Sequence, residues 1–237
     1  MEKLFNWFTH QFTITFITDN RYKLFLTGLK NTLVIVLGAV VIGVILGAVV
    51  AIVRVYYAKS AKPGVPLRIG NGVCGAYLAV FRGTPIVVQL LIMYYIIFTF
   101  IQSGIVISII AFGVNSGAYV AEIIRAGILA VDPGQTEAGR SLGLSENKTM
   151  LLIVLPQAVK NILPALGNEL VTLMKETSVA GYATIKDLTR AGENVRIATA
   201  EPYFSLFFVA LVYFLMVMGV TRLLRLLERR LARSDRG

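Results

Sequence analysis

The chain has 237 residues, 56% of them hydrophobic and only 15% charged. A water-soluble domain of that length carries more charge, so the long apolar runs belong in a bilayer. The formal net charge of +10 would suggest nucleic acid in a soluble protein; here the basic residues flank apolar runs or fill the tail, which suits membrane orientation and anionic lipid and argues against a nucleic-acid partner.

The first thirty residues hold no charged region followed by an unbroken apolar core and a small-residue cleavage site, so a cleaved signal peptide is not expected and 1–28 reads as an interfacial N-terminal segment. Its aromatic stretch 4–16 carries rings suited to the headgroup layer. The single histidine, His10, and the single cysteine, Cys74, assemble neither a metal site nor an internal disulfide.

A membrane domain is expected over 29–225. A span needs about 20 apolar residues, and the cleanest is 29–53, where Gly43 and Gly47 form a small-xxx-small pair that allows close helix approach. A basic loop follows over 54–68, with Arg54, Lys59, Lys62, Arg68 and no acid. A helix over 69–81 should be kinked or restarted at Pro85, with 86–101 completing a second span. The third span, 104–124, follows so short a link that it lies antiparallel to the second. Residues 126–150 are polar, and 151–174 form a fourth span that Pro156 and Pro164 interrupt. After the polar stretch 175–202, the fifth span is 203–224, and a basic tail over 226–237 lies at the membrane surface. The expected fold is all-α with five transmembrane helices. The loops 54–68 and 125–150 and the tail carry more Lys and Arg than the opposite side, which places them in the cytoplasm and the N-terminus outside.

The polar loop between spans three and four carries the most information. Glu137-Ala138-Gly139 is followed by Gly143-Leu144 and, after a further stretch, by Ile153-Val154-Leu155-Pro156. This resembles the EAA motif of ABC-importer permeases, with Gly139 where the third position is usually alanine. Phe81-Arg82-Gly83-Thr84-Pro85 with Val88-Gln89, Ala118-Tyr119-Val120-Ala121-Glu122-Ile123 with Arg125, Leu155-Pro156-Gln157-Ala158 and Lys175-Glu176-Thr177-Ser178 resemble further stretches of the polar amino acid group of those permeases, for histidine, glutamine, glutamate, arginine and opines. A short cytoplasmic helix bearing small residues fits a groove in a soluble partner. Glu137 can anchor it by a charged hydrogen bond to that partner or to its own helix N-terminus, and Gly143 lets the chain turn out of it.

The resemblance implies a multi-pass protein of the bacterial cytoplasmic membrane that works beside a second permease copy or close paralogue. It implies two ABC ATPase subunits holding ATP and Mg, an extracytoplasmic solute-binding protein and a polar amino-acid substrate, with no cofactor in this chain. Glu137, Ala138, Gly139, Gly143 and Leu144 are then the residues that couple the ATPase to the spans. The run from Gly134 to Ser141 almost spells a phosphate-binding P-loop, but Arg140 stands where the lysine belongs and Val131-Asp132-Pro133, not a strand, leads into it. No catalytic set is found, so an enzyme is not expected.

Polar groups at membrane depth form the second set of candidates. Asn115, Ser116 and Tyr119 in span three, Gln89 in span two and Glu169 in span four either line a substrate pathway or bond one helix to another. Ser116 and Tyr119 share a helix face at i and i+3. Glu169 on the pathway would favour a cationic amino acid. Glu122 and Arg125, also i and i+3, form a structural pair or a gate; Pro85 and Pro156 are structural or gating positions. A stand-alone secondary transporter or channel, resting on Glu122 and Glu169, and a non-transporting scaffold are the competing readings.

Overall fold

The computed structural model describes residues 1–233, so the last residues of the expected tail, 234–237, lie outside the described residues. Among the described residues the elements are all helical. Helix α1 (Glu2–Phe12) passes through a π turn (Thr13–Ile17) and a 3-10 turn (Thr18–Asn20) into α2 (Tyr22–Lys59). Asp19 and Asn20 make the turn with φ of 54° each, a left-handed conformation that these two residue types tolerate. Then follow α3 (Val65–Gly83), α4 (Ile86–Ile92) with its π extension Met93–Ile97, α5 (Gly104–Leu129), α6 (Pro133–Ser141) and α7 (Glu146–Thr149). A π turn (Met150–Val154) opens α8 (Leu155–Glu176), a 3-10 turn (Thr177–Ala183) leads to α9 (Leu188–Thr199), and α10 (Pro202–Arg233) closes the described chain.

Helices are what a bilayer demands, because each backbone N–H and C=O must find its partner within the segment. Four are long and apolar enough to cross: Tyr22–Lys59, Gly104–Leu129, Glu146–Ala183 and Pro202–Arg229. The broken pair Val65–Gly83 and Ile86–Ile97 makes a fifth if taken as one span. At the break Thr84 is extended, with φ −125° and ψ 149°, as steric conflict with the following proline ring requires.

Several boundaries differ from those read in the sequence. The first span starts at Tyr22, not at 29, and its 38 residues reach roughly 57 Å at 1.5 Å each, far beyond a hydrocarbon core of about 30 Å. The basic loop over 54–68 shrinks to 60–64, because Arg54 and Lys59 lie on α2 and Arg68 on α3. Pro156 and Pro164 do not interrupt the fourth span. The wide π turn before Pro156 absorbs the missing N–H and the ring, and Gln157 Nε2 donates to the Ile153 carbonyl at 3.0 Å. The polar stretch 175–202 contains the ordered helix α9, and the described part of the tail continues α10 without a break.

The chain forms two compact units, and the four long helices supply residues to each. One comprises Met1–Ala39, Ile86–Phe112 and Thr172–Val220. Its core is Phe25, Leu188, Ala191, Val195 and Val209, with the Phe16 and Phe208 rings packed edge-on at 4.8 Å between centroids. The start of α2 holds the approach to α9: Asn31 Nδ2 donates to the Lys186 carbonyl at 2.8 Å, and the Leu188 N–H donates to Thr32 Oγ1 at 3.1 Å. Asp187 caps α9, accepting from the N–H of Arg190 at 2.8 Å and of Thr189 at 3.2 Å. Its carboxyl is fully buried, and burial outweighs these bonds and pushes its pKa up.

The second unit comprises Val40–Pro85, Gly113–Val171 and the chain from Thr221. Val50, Leu78, Ala118 and Ala121 form one core; Val131, Val154, Ala158 and Ile162 form another. Helices meet here at near-backbone distance. A Cβ at Gly47 would lie 2.5 Å from Val120 Cγ1, and one at Gly127 would lie 2.3 Å from Ile162 Cγ1.

Two outcomes follow from this packing. Gly127→Val should destabilise the purified protein by about 1–3 kcal/mol through overpacking, read as a lower thermal midpoint in detergent; Gly72→Ala, where a Cβ meets nothing within 4 Å, should not. For Asp187, a raised folded-state pKa contributes stability in full below the unfolded value of about 3.9, and that stability is lost as pH rises through the folded value. Wild type should therefore lose thermal stability relative to Asp187→Asn as pH rises above about 4. Parallel melting curves for the two proteins would remove Asp187 as the titrating group.

Candidate coupling element and membrane cavities

Helix α6 is closed at both ends by local chemistry. Asp132 Oδ1 accepts from the Gly134 N–H at 2.8 Å, and Pro133 occupies the first helical position, where a missing N–H costs nothing. At the other end Gly143 adopts φ +81°. The Leu144 N–H reaches the Gly139 carbonyl at 3.1 Å and the Gly143 N–H reaches Arg140 at 3.0 Å, the paired bonds of a Schellman motif. Asp132, not Glu137, thus serves the helix N-terminus, and the Glu137 carboxylate stands exposed.

One side of α6 is fixed to the spans. A Cβ at Gly139 would lie 2.7 Å from Thr149 Cγ2 and 2.8 Å from Ile153 Cδ1, so α6 rests directly on the start of α8. Gln157 Nε2 donates to Gln135 Oε1 at 3.1 Å. Just ahead of α6, Val131 is buried against Val154, Ala158 and Ile162. The other side is bare: Glu137, Ala138, Arg140 and Ser141 are exposed, and Leu142 is 81% exposed.

Two cavities of the same unit open on different sides of α5. The first, of about 480 Å³, has mostly apolar walls from Val44, Val120, Leu163 and Leu170, with Ser116, Glu169 and Glu228 as its polar groups. Ser116 Oγ donates to Glu169 Oε1 at 2.7 Å, which joins α5 to α8. The second, of about 660 Å³, is lined by Arg54, Arg82, Tyr119 and Glu122 together with Leu78, Ala79 and two glycines. Arg125 grips Glu122 through Nε at 3.1 Å and Nη2 at 2.5 Å. The Arg82 guanidinium sits over the Tyr119 ring at 5.6 Å.

The model of the family of binding-protein-dependent transport system inner membrane components matches residues 65–233. The chain belongs to that family. The putative glutamine transport system permease protein GlnP of Rickettsia felis is 39% identical over 200 residues, covering 81% of this chain and 86% of that relative. The arginine transport system permease protein ArtQ of Bacillus subtilis is 37% identical over 213 residues, covering 89% and 93%. A crystal structure of an amino acid ABC transporter with histidines superposes with a TM-score of 0.80 at 40% identity, over 91% of this chain and 98% of that one.

Among the coupling candidates of this permease, Glu137, Ala138 and Gly143 lie on the exposed surface of the α6 region, Gly139 is on the buried side of α6, and Leu144 is half-buried. Leu142 is not among the sequence candidates, although it is an exposed leucine beside Gly143. Among the pathway candidates, Asn115 donates to the Phe81 carbonyl at 3.1 Å and Ser116 bonds Glu169. Tyr119 lines the other cavity with Glu122. Residues three apart still differ by about 60° around a helix, enough to send Ser116 and Tyr119 into separate spaces. Gln89 is buried on α4, in the first unit. Pro85 marks the α3–α4 break, and Pro156 lies within a continuous helix. The stretch Gly134 to Ser141 lies in α6 and is no phosphate loop. Arg54 reads in the sequence as a topology signal of the basic loop and Arg82 as part of the motif Phe81–Pro85, and neither pattern by itself points to a shared cavity.

Gly143→Val should strain the α6 exit by about 1–2 kcal/mol, since a side chain at positive φ meets the following carbonyl. The expected readout is faster tryptic cleavage at Arg140 and Lys148. An unchanged cleavage rate would show that the turn does not depend on glycine.

Proposed function

We propose that the chain is the membrane-spanning half of an ATP-driven importer for polar amino acids, with α6 as the lever gripped by a separate ATPase. The observation that carries this reading is the two-sided character of α6. One side is locked to α8 through Gly139, Gln135 and Gln157, and the other presents Glu137, Ala138 and the bare Leu142 to a partner. A helix so fixed passes a push from a soluble motor to the spans. Coupling requires that the docked state differ in energy between the two membrane conformations.

In this reading two permease copies, or this chain and a close paralogue, stand above two ATPase subunits that bind ATP and Mg. A solute-binding protein delivers the amino acid from outside. The basic residues on the ends of α2 and α3, on the α6 segment and on the tail support a cytoplasmic side for these segments and an N-terminus outside. The relatives' names, for glutamine and arginine transport, support a polar amino acid as cargo. Glu169, on the wall of a largely apolar cavity, favours a cationic one. A secondary transporter needs no exposed, rigidly seated α6 and leaves it unexplained.

The decisive experiment co-expresses the chain with an ABC ATPase and a solute-binding protein from the same genome and measures complex recovery and ATP-driven uptake of labelled arginine, histidine, lysine and glutamine. Leu142→Asp and Glu137→Lys should each cut ATPase recovery about tenfold, as burial of a charge or reversal of an anchor would, while membrane insertion stays intact. Full recovery with normal substrate-stimulated ATP hydrolysis in both variants would sink the coupling role.

A further inference from the structure

The cavity beside Tyr119 carries charge that the coupling role does not use. Of its charged lining groups, Glu122 is already held by both arms of Arg125. Among the described residues, neither Arg54 nor Arg82 has a carboxylate within ion-pair distance, and Arg54 Nε is buried without a hydrogen-bond partner. The Arg82 guanidinium carbon lies 5.6 Å from the centre of the Tyr119 ring, a cation–π contact that leaves its N–H groups for a ligand. Both guanidinium groups stand close enough to Glu122 to act on it through space. Cations at the membrane edge that make no ion pair of their own are favoured where they face a cavity or an anionic ligand.

We propose that this cleft is a zwitterion subsite, in which Arg54 and Arg82 bind the α-carboxylate of the amino acid in transit and Glu122 faces its α-ammonium. The subsite rests on the importer reading and deepens it: it recognises what every α-amino acid shares, apart from any selection made on the side chain. Its volume of about 660 Å³ lies in the range of small-molecule sites, about 300–1,000 Å³. Leu78 and Ala79 are the only aliphatic side chains among its lining residues. That wall suits a compact polar solute better than the acyl chains of a phospholipid, whose phosphate is the other anion able to meet two arginines.

The test uses the permease–ATPase complex with its binding protein in proteoliposomes for uptake, and the same complex without binding protein in nanodiscs for equilibrium binding. Labelled L-arginine, L-histidine and L-glutamine are the probes, and their carboxamides are the competitors. Arg82→Gln and Arg54→Gln should each weaken binding and slow uptake about tenfold, Arg82→Lys should recover part of the loss, and the carboxamides should compete about tenfold more weakly than the free acids. Co-elution of each variant with the ATPase checks its assembly. The inference is overturned if the Gln variants take up amino acids like wild type, if carboxamides compete equally, or if wild type transports yet binds none of the probes. It is also overturned if the variants lose only co-purifying anionic phospholipid, counted by mass spectrometry, which would assign the arginines to a headgroup. A wild-type assembly that shows no ATP-driven uptake of any probe brings down the importer reading itself.

Discussion

At Gly127, α5 passes so close to α8 that a single methyl group would overlap Ile162. This contact decides what the polar segment after α5 can do. It brings Val131 onto Val154, Ala158 and Ile162, so the chain enters α6 from a packed floor and not from a free loop. Gly139 repeats the device one element later, letting α6 lie on Thr149 and Ile153. Packed interiors transmit displacement because they have no slack to absorb it. A surface helix of nine residues would be marginal by itself in water; here tertiary packing on this floor holds it in place.

The membrane charges are handled in three different ways. Glu122 and Arg125 satisfy one another on α5 itself. Glu169 takes a hydroxyl from a neighbouring helix, which meets one lone pair and leaves the rest of the carboxylate to its cavity. Among the described residues, Arg54 and Arg82 have no carboxylate within ion-pair distance. The polar face of α5 is therefore divided: one side turns toward Glu169 and an apolar cavity, the other toward a cleft dominated by guanidinium groups.

Much of the layout was legible because lipid leaves few choices. Long apolar runs must be helices, and the break at Pro85 follows from the backbone of the residue before a proline. Gly143 announced the exit of α6 because few other residues adopt positive φ. The same rule applied to Pro156 misled, since a π turn is an escape that local sequence does not advertise. The 175–202 stretch hid α9 because its apolar positions are few, and its order comes from burial against α2 and α10 and from the Asp187 cap.

Sequence alone determined the class of the protein, the approximate course of its apolar helices and the short polar segment that Gly143 closes, because these depend on composition, spacing and backbone stereochemistry within one segment. Only the tertiary structure decided which side of α6 is bare, that Ser116 and Tyr119 serve different cavities, and that Arg54 and Arg82 share one. Those facts depend on which distant helices approach one another, and close approach is set by the fit of side-chain volumes across the fold, which no single segment encodes.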